Sequence, residues 1–154
     1  MCSTGRPIGF LRGKIGFTGE RKDLTIRPRH QESAKLLILD GCVFRDDFPK
    51  CDGMFFYEKG NKIFMILVEL KGGDIDHAFE QVKYTRETRS EYFSLKNQVM
   101  NNRAGRPIEL AFVVSNHRID RVRHQKLENM YQVRVKAVLH SEATTPLSDL
   151  REWI

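Results

Sequence analysis

The spacing of apolar and polar positions divides this chain into short elements. Residues 51–57 and 62–71 read as two strands separated by the turn signal Glu58-Lys59-Gly60-Asn61. The second strand is apolar on both faces, unbroken over residues 63–68, which predicts a central strand covered by helices on each side. Ile75, Ala78, Phe79 and Val82 fall at i, i+3, i+4 and i+7. They predict a helix over about residues 74–93, capped by Gly73 or Asp74. Residues 108–115 form another buried strand, residues 118–130 a basic helical or loop segment, and Val133, Val135 and Ala137 an alternating strand. A short terminal helix is expected over residues 147–154, behind Pro146. Upstream, residues 31–39 read as a helix between Pro28 and Asp40-Gly41, and residues 42–45 as a short strand. The order α, β, β, β, α, β, α, β predicts an α/β fold, a mixed central sheet with helices on both faces.

Length and composition narrow the class. A chain of 154 residues makes one domain, and 40% hydrophobic residues with ten Phe exclude a disordered chain. The longest apolar run is far too short to cross a membrane, so no membrane partner is expected. No apolar stretch follows Met1-Cys2-Ser3-Thr4-Gly5-Arg6, so no secretory signal is expected. Three cysteines (Cys2, Cys42, Cys51) without Cys-x-x-Cys spacing argue against a disulfide framework and a closed zinc site, which makes a cytoplasmic location the expectation. The glycine-rich, basic residues 1–30 read as a loop-like arm, residues 31–115 as the core, and residues 116–154 as a basic helix, a strand and the terminal helix. The net charge of +6 divides as +4, −1 and +3 over residues 1–50, 51–100 and 101–154. A basic protein with an acidic middle suits a polyanion binder that also holds a cation, although scattered surface arginines give the same total.

The chemistry concentrates in Asp52 and Glu69-Leu70-Lys71. Side chains alternate along a strand, so Glu69 and Lys71 share a face while Leu70 points to the opposite one. Pairing Tyr57 with Lys62 across a four-residue loop sets Asp52 opposite Leu67, on the Glu69 face and one diagonal step from it. Two carboxylates there suit Mg²⁺, with Mn²⁺ as a substitute, and the backbone carbonyl of Leu70 is a third oxygen donor. Lys71 would orient or deprotonate a water, or donate to a phosphate. An ordinary strand-edge salt bridge is the bland alternative. The segment Gly9 to Ile15 has too few residues between its glycines, and Ile15 in place of a hydroxyl, to be a phosphate-binding loop. The five histidines form no i, i+4 ligand pair.

With Asp52 as the first acid and Glu69-Leu70-Lys71 as (D/E)-x-K, the chain resembles the PD-(D/E)xK phosphodiesterase superfamily, which includes restriction endonucleases, archaeal-type Holliday junction resolvases and RecB-like nucleases. The resemblance implies a restriction endonuclease-like αβββαβ core over about residues 31–115. It also implies Glu32 as an additional acidic metal ligand, and Gln81 with Tyr84 as the counterpart of a glutamine-tyrosine motif. Two residues separate Gln81 from Tyr84 where that motif usually has three, and Cys51 stands where its proline would be. The implied activity is divalent-metal-dependent endonucleolytic hydrolysis of DNA, structure-selective or weakly sequence-specific. The alternative is a nucleic-acid-binding protein of the same fold without turnover. Arg118, Arg121, Arg123 and Lys126 are candidates for the DNA backbone. Gly72-Gly73 would let substrate approach. Two nicks in a duplex need two active sites, which points to a homodimer.

Overall fold

The computed structural model describes residues 15–19, 22–102, 105–141 and 149–154. A five-stranded sheet is built from β3 (Glu32–Ile38), β4 (Gly53–Lys59), β5 (Lys62–Leu70), β6 (Ile108–Ser115) and β7 (Ala137–His140), in the spatial order β3-β4-β5-β6-β7. The first three strands form an antiparallel meander, while β5, β6 and β7 run parallel. The sheet is therefore mixed, as the pattern of elements predicts. A separate two-stranded hairpin joins β1 (Ile15–Gly19) and β2 (Lys22–Ile26). Among the described residues three α-helices complete the fold: α1 (Ile75–Thr88), α2 (Ser90–Asn101) and α3 (Arg121–Tyr131).

Each sheet face has its own core. Met54, Met65, Leu67, Ala111 and Val113 meet Ile75, Ala78, Phe79 and Val82 of α1, Tyr92 of α2 and Leu127 of α3. On the other face Phe55, Phe64, Ile66, Val68, Phe112 and Val114 lie under Leu24 and Ile26 of the small hairpin and Leu150 of the terminal turn. The double-sided apolar character of β5 is thus explained, because alternate residues enter opposite cores. The expected helices on both faces are corrected: every described α-helix packs on one face, and the hairpin with a 3-10 turn (Leu150–Trp153) covers the other.

Other expectations are corrected as well. Within residues 31–39 the chain forms strand β3 (Glu32–Ile38), so the first helix of the αβββαβ order is not there. Glu, Ala, Lys and Leu favour a helix locally, but pairing along all of β4 overrides that preference. The chain enters β3 through a turn in which Glu32 N–H donates to the Arg29 carbonyl and Gln31 takes a positive φ. Residues 42–45 turn rather than extend, with a single bridge between Asp40 and Phe44. Cys42 is disulfide-bonded, which the odd cysteine count did not suggest, and Cys51 is free and buried. The long helix is divided at Arg89, whose backbone is extended. Val133 and Val135 are buried but precede β7, and the terminal element is a 3-10 turn. Residues 1–14, 20 and 21 of the arm lie outside the described residues, while residues 15–19 and 22–26 pair as β1 and β2. Among the described residues no helix is long and apolar enough to cross a membrane.

Candidate functional site

The β4-β5 hairpin decides where Asp52 and Glu69 meet. Lys59 pairs with Lys62, leaving a two-residue loop of Gly60 and Asn61 in which Gly60 takes a left-handed φ of 60°. The register runs to Gly53 opposite Val68, so one step beyond it Asp52 faces Glu69 directly instead of Leu67. This is a shift of two residues from the sequence-based register. Because side chains alternate with a period of two, the shared face is kept.

The two residues lock together through their main chains. Asp52 N–H donates to Glu69 Oε2 at 3.2 Å, and Leu70 N–H donates to Asp52 Oδ2 at 2.6 Å. Lys71 Nζ lies 3.3 Å from Glu69 Oε1. Glu69 is only 1% exposed and sits at the helix-side end of β5, beyond the apolar Met65 and Leu67. Burial, reinforced by the neighbouring Asp52 charge and only partly relieved by Lys71, pushes its carboxyl up to about 9. Asp52 is also raised, first by burial, with the Asp40 charge adding to it, while the Leu70 N–H and Lys71 oppose. Without a cation, Glu69 therefore holds a proton at neutral pH. A buried Glu69 carboxyl beside the half-buried, negatively charged Asp52 fits a divalent cation, which would displace that proton.

The donor set that converges is small. Asp52 and Glu69 supply carboxylate oxygens, and the Leu70 carbonyl lies on the main chain between the Glu69 and Lys71 side chains. Among the described residues no group of three or more His, Cys, Asp or Glu is placed to hold a metal ion. Water and a substrate phosphate would have to complete the shell, which is how Mg²⁺ is usually held.

Glu32 is not part of this site. It opens β3 opposite Lys59, whereas Ile38 at the far end of the strand pairs with Gly53, next to Asp52. Six residue steps along the strand separate those ends, roughly 20 Å. Its carboxylate instead lies 2.9 Å from Arg151 Nε and accepts the Arg29 N–H at 2.8 Å. The acid that β3 brings near Asp52 is Asp40: the Leu39 and Asp40 N–H groups both donate to the Asp52 carbonyl, at 2.9 and 3.3 Å. Asp40 in turn lies 3.3 Å from Lys50 Nζ.

Gln81 does reach the site's flank. Its Nε2 donates to the Lys50 carbonyl at 2.8 Å, while its buried Oε1 has no hydrogen-bond partner. It thus holds the chain two residues before Asp52. Tyr84 is half-buried on the same helix.

The loops after β5 and β6 run together beside Lys71. Lys71 N–H donates to the Val114 carbonyl, and Asn116 N–H to the Gly72 carbonyl, both at 2.8 Å. Ser115 Oγ donates to the same Gly72 oxygen at 3.0 Å. A Cβ on Gly73 would come within 3.0 Å of His117 Nε2. Glycine there makes room for the His117 ring. Arg118, Arg121, Arg123 and Lys126 are all exposed on this loop and on α3, and Arg123 pairs with Asp76 of α1 at 3.4 Å.

Comparison of the chain with protein-family models, with curated proteins and with solved structures gave no match in any of the three.

Proposed function

We propose that this protein is a divalent-metal-dependent phosphodiesterase acting on DNA, of the PD-(D/E)xK type. The observation that carries the reading is the Asp52–Glu69 pair: a buried carboxyl near the end of β5 and a half-buried one just before β4, joined by the Asp52 N–H donating to Glu69 Oε2, with Lys71 Nζ 3.3 Å from Glu69 Oε1. The run β3-β4-β5-α-β6, with the first three strands antiparallel and β6 parallel to β5, supports the resemblance carried by Asp52 and Glu69-Leu70-Lys71.

In this reading Asp52, Glu69 and the Leu70 carbonyl hold Mg²⁺ or Mn²⁺. Such an ion supplies charge neutralisation at the phosphoryl oxygens and lowers the pKa of a bound water. Lys71 is 24% exposed at its side chain and lies just past the end of β5, two residues after Glu69. Its ammonium donates to the scissile phosphate or orients the attacking water, and cannot itself bind the metal while protonated. Arg118, Arg121, Arg123 and Lys126 track the DNA backbone by charge, which fixes register on the nucleic acid without reading sequence. Gln81 acts through the chain it holds and is assigned a positioning role.

The test separates an enzyme from a binding module. DNA binding is measured in EDTA and in Ca²⁺, and cleavage in Mg²⁺ and Mn²⁺, on supercoiled, linear, single-stranded and four-way-junction DNA. The reading expects cleavage of at least one substrate that requires the metal. Binding that is equal with and without metal, and never followed by cutting, would identify a nucleic-acid-binding protein instead.

A further inference from the structure

Asp52 lies outside the sheet ladder. Residues 45–52 belong to no helix or strand, and β4 begins only at Gly53. The backbone polar groups of this approach must be satisfied from elsewhere; of three side chains spaced four residues apart, two bond its backbone and the third holds one of its side chains. Gln81 Nε2 donates to the Lys50 carbonyl at 2.8 Å. Thr85 Oγ1 accepts the Cys51 N–H at 2.9 Å. The Arg89 guanidinium grips the Asp46 carboxylate with both Nη atoms, each at 2.8 Å. Positions 81, 85 and 89 lie on one flank of a helix and its continuation.

The last two rungs are buried. Thr85 is fully buried and Arg89 is 5% exposed, with its guanidinium carbon 4.1 Å from the centre of the Phe44 ring. Asp46 ties its own turn as well: Oδ1 accepts the Phe48 N–H at 3.1 Å, and its carbonyl accepts Lys50 Nζ. The chain from Asp46 to Cys51 is therefore fixed to α1 and its junction with α2 immediately before it delivers Asp52 to Glu69.

We propose that Thr85 and the Arg89–Asp46 pair are positioning residues that set Asp52 against Glu69, and so govern cation affinity and turnover rather than DNA binding. The proposal rests on the reading of Asp52 and Glu69 as the cation-holding pair. Buried charge is costly to place in a core and strongly destabilising to break, so variants of Arg89 confuse position with folding. Thr85→Val is the cleaner probe, since it removes one acceptor with little change of shape. Thr85→Ser restores that acceptor.

The experiment measures Mn²⁺ affinity by paramagnetic resonance, kcat and KM for DNA cleavage, and the thermal midpoint, on the native protein and both variants. All binding and kinetics are done well below the midpoint. The expected result for Thr85→Val is Mn²⁺ binding weakened about tenfold, as for loss of a group that orients a metal ligand. A fall of about tenfold or more in kcat with KM little changed accompanies it, and Thr85→Ser recovers most of both. A Thr85→Val protein with a lowered midpoint but native Mn²⁺ affinity and kcat would reduce the ladder to a structural role and overturn the proposal. So would a Ser variant no better than Val. If the native protein neither binds Mn²⁺ nor cleaves DNA, the reading of the site fails first and the ladder's role with it.

Discussion

Asp52 and Glu69 are joined by a main-chain hydrogen bond as well as by their shared face: the Asp52 N–H donates to Glu69 Oε2 at 3.2 Å. The bond fixes the Glu69 carboxyl beside Asp52, whose charge disfavours its ionisation. The same burial and repulsion that make the pair costly in the empty protein make it responsive to a cation.

A pH dependence of stability follows for the metal-free protein. Folding raises Glu69 from an ordinary carboxylate value to about 9, and raises Asp52 as well. Between about pH 4.5 and 9 the native state therefore holds a proton that the unfolded chain has released. Stability falls as pH rises through that window, by up to about 1.4 kcal/mol per pH unit for one fully coupled proton. Glu32, Asp46 and Glu109 are shifted downward and act at more acid pH, outside this window. Urea unfolding in EDTA at several pH values should show the decline, and Glu69→Gln should flatten it. A stability that rises from pH 5 to 9 would contradict the assignment.

Lys71 separates binding from turnover. Lys71→Ala should bind DNA nearly normally in Ca²⁺, yet lose on the order of 10²–10⁴ in single-turnover cleavage rate, the usual contribution of a positioned donor or base. If Lys71 only pairs with Glu69, its removal changes stability by less than about 1 kcal/mol and leaves the rate intact. Single-turnover kinetics beside a binding isotherm distinguish these results.

The exposed basic residues should act through salt. DNA affinity is expected to fall steeply between about 50 and 200 mM salt as counterion release weakens. Reversing the charge of Arg121 and Arg123 should lower both the affinity and the slope of its logarithm against the logarithm of salt. Reversal at Arg123 also disrupts the pair with Asp76, so its stability is measured alongside. A slope unchanged by the double reversal would remove these residues from the interface.

Much of this arrangement was legible in the residues. The double-sided apolar run over 63–68, the 108–115 strand and the α1 stripe needed only periodicity, and Glu69 with Lys71 needed only alternation along a strand. The hairpin register was wrong by two residues because the loop is two residues long, yet an even error preserves the face. What failed were features set by tertiary pairing. Residues 31–39 carry helix-forming side chains but become β3 because β4 offers a full edge of hydrogen-bonding groups, and with that change Glu32 moved to the far end of a strand. Arg89 had a signal that went unread: a charged residue continuing the buried stripe of positions 75, 78, 82 and 85.

Glu32 gives a counter-test from the same correction. Its carboxylate, one-tenth exposed, holds Arg151 of the terminal turn near Tyr57. Glu32→Gln should cost up to about 1.5–3 kcal/mol of stability, the scale of a hydrogen bond to a charged group, while Mn²⁺ affinity stays at the native value. Weakened Mn²⁺ binding by a folded Glu32→Gln protein, measured by isothermal titration, would return Glu32 to the site.

The central claim is that Asp52 and Glu69 hold a catalytic cation, and plasmid nicking by Glu69→Gln tests it most directly. The variant keeps the shape of a group that is already protonated in the empty native site, so it should fold at least as stably as the native protein in EDTA. The native protein is expected to convert supercoiled DNA to open-circular or linear forms in Mg²⁺ or Mn²⁺ and to do nothing in EDTA, whereas Glu69→Gln should be inactive in all three. Cleavage at the native rate by the purified, folded variant would contradict the claim.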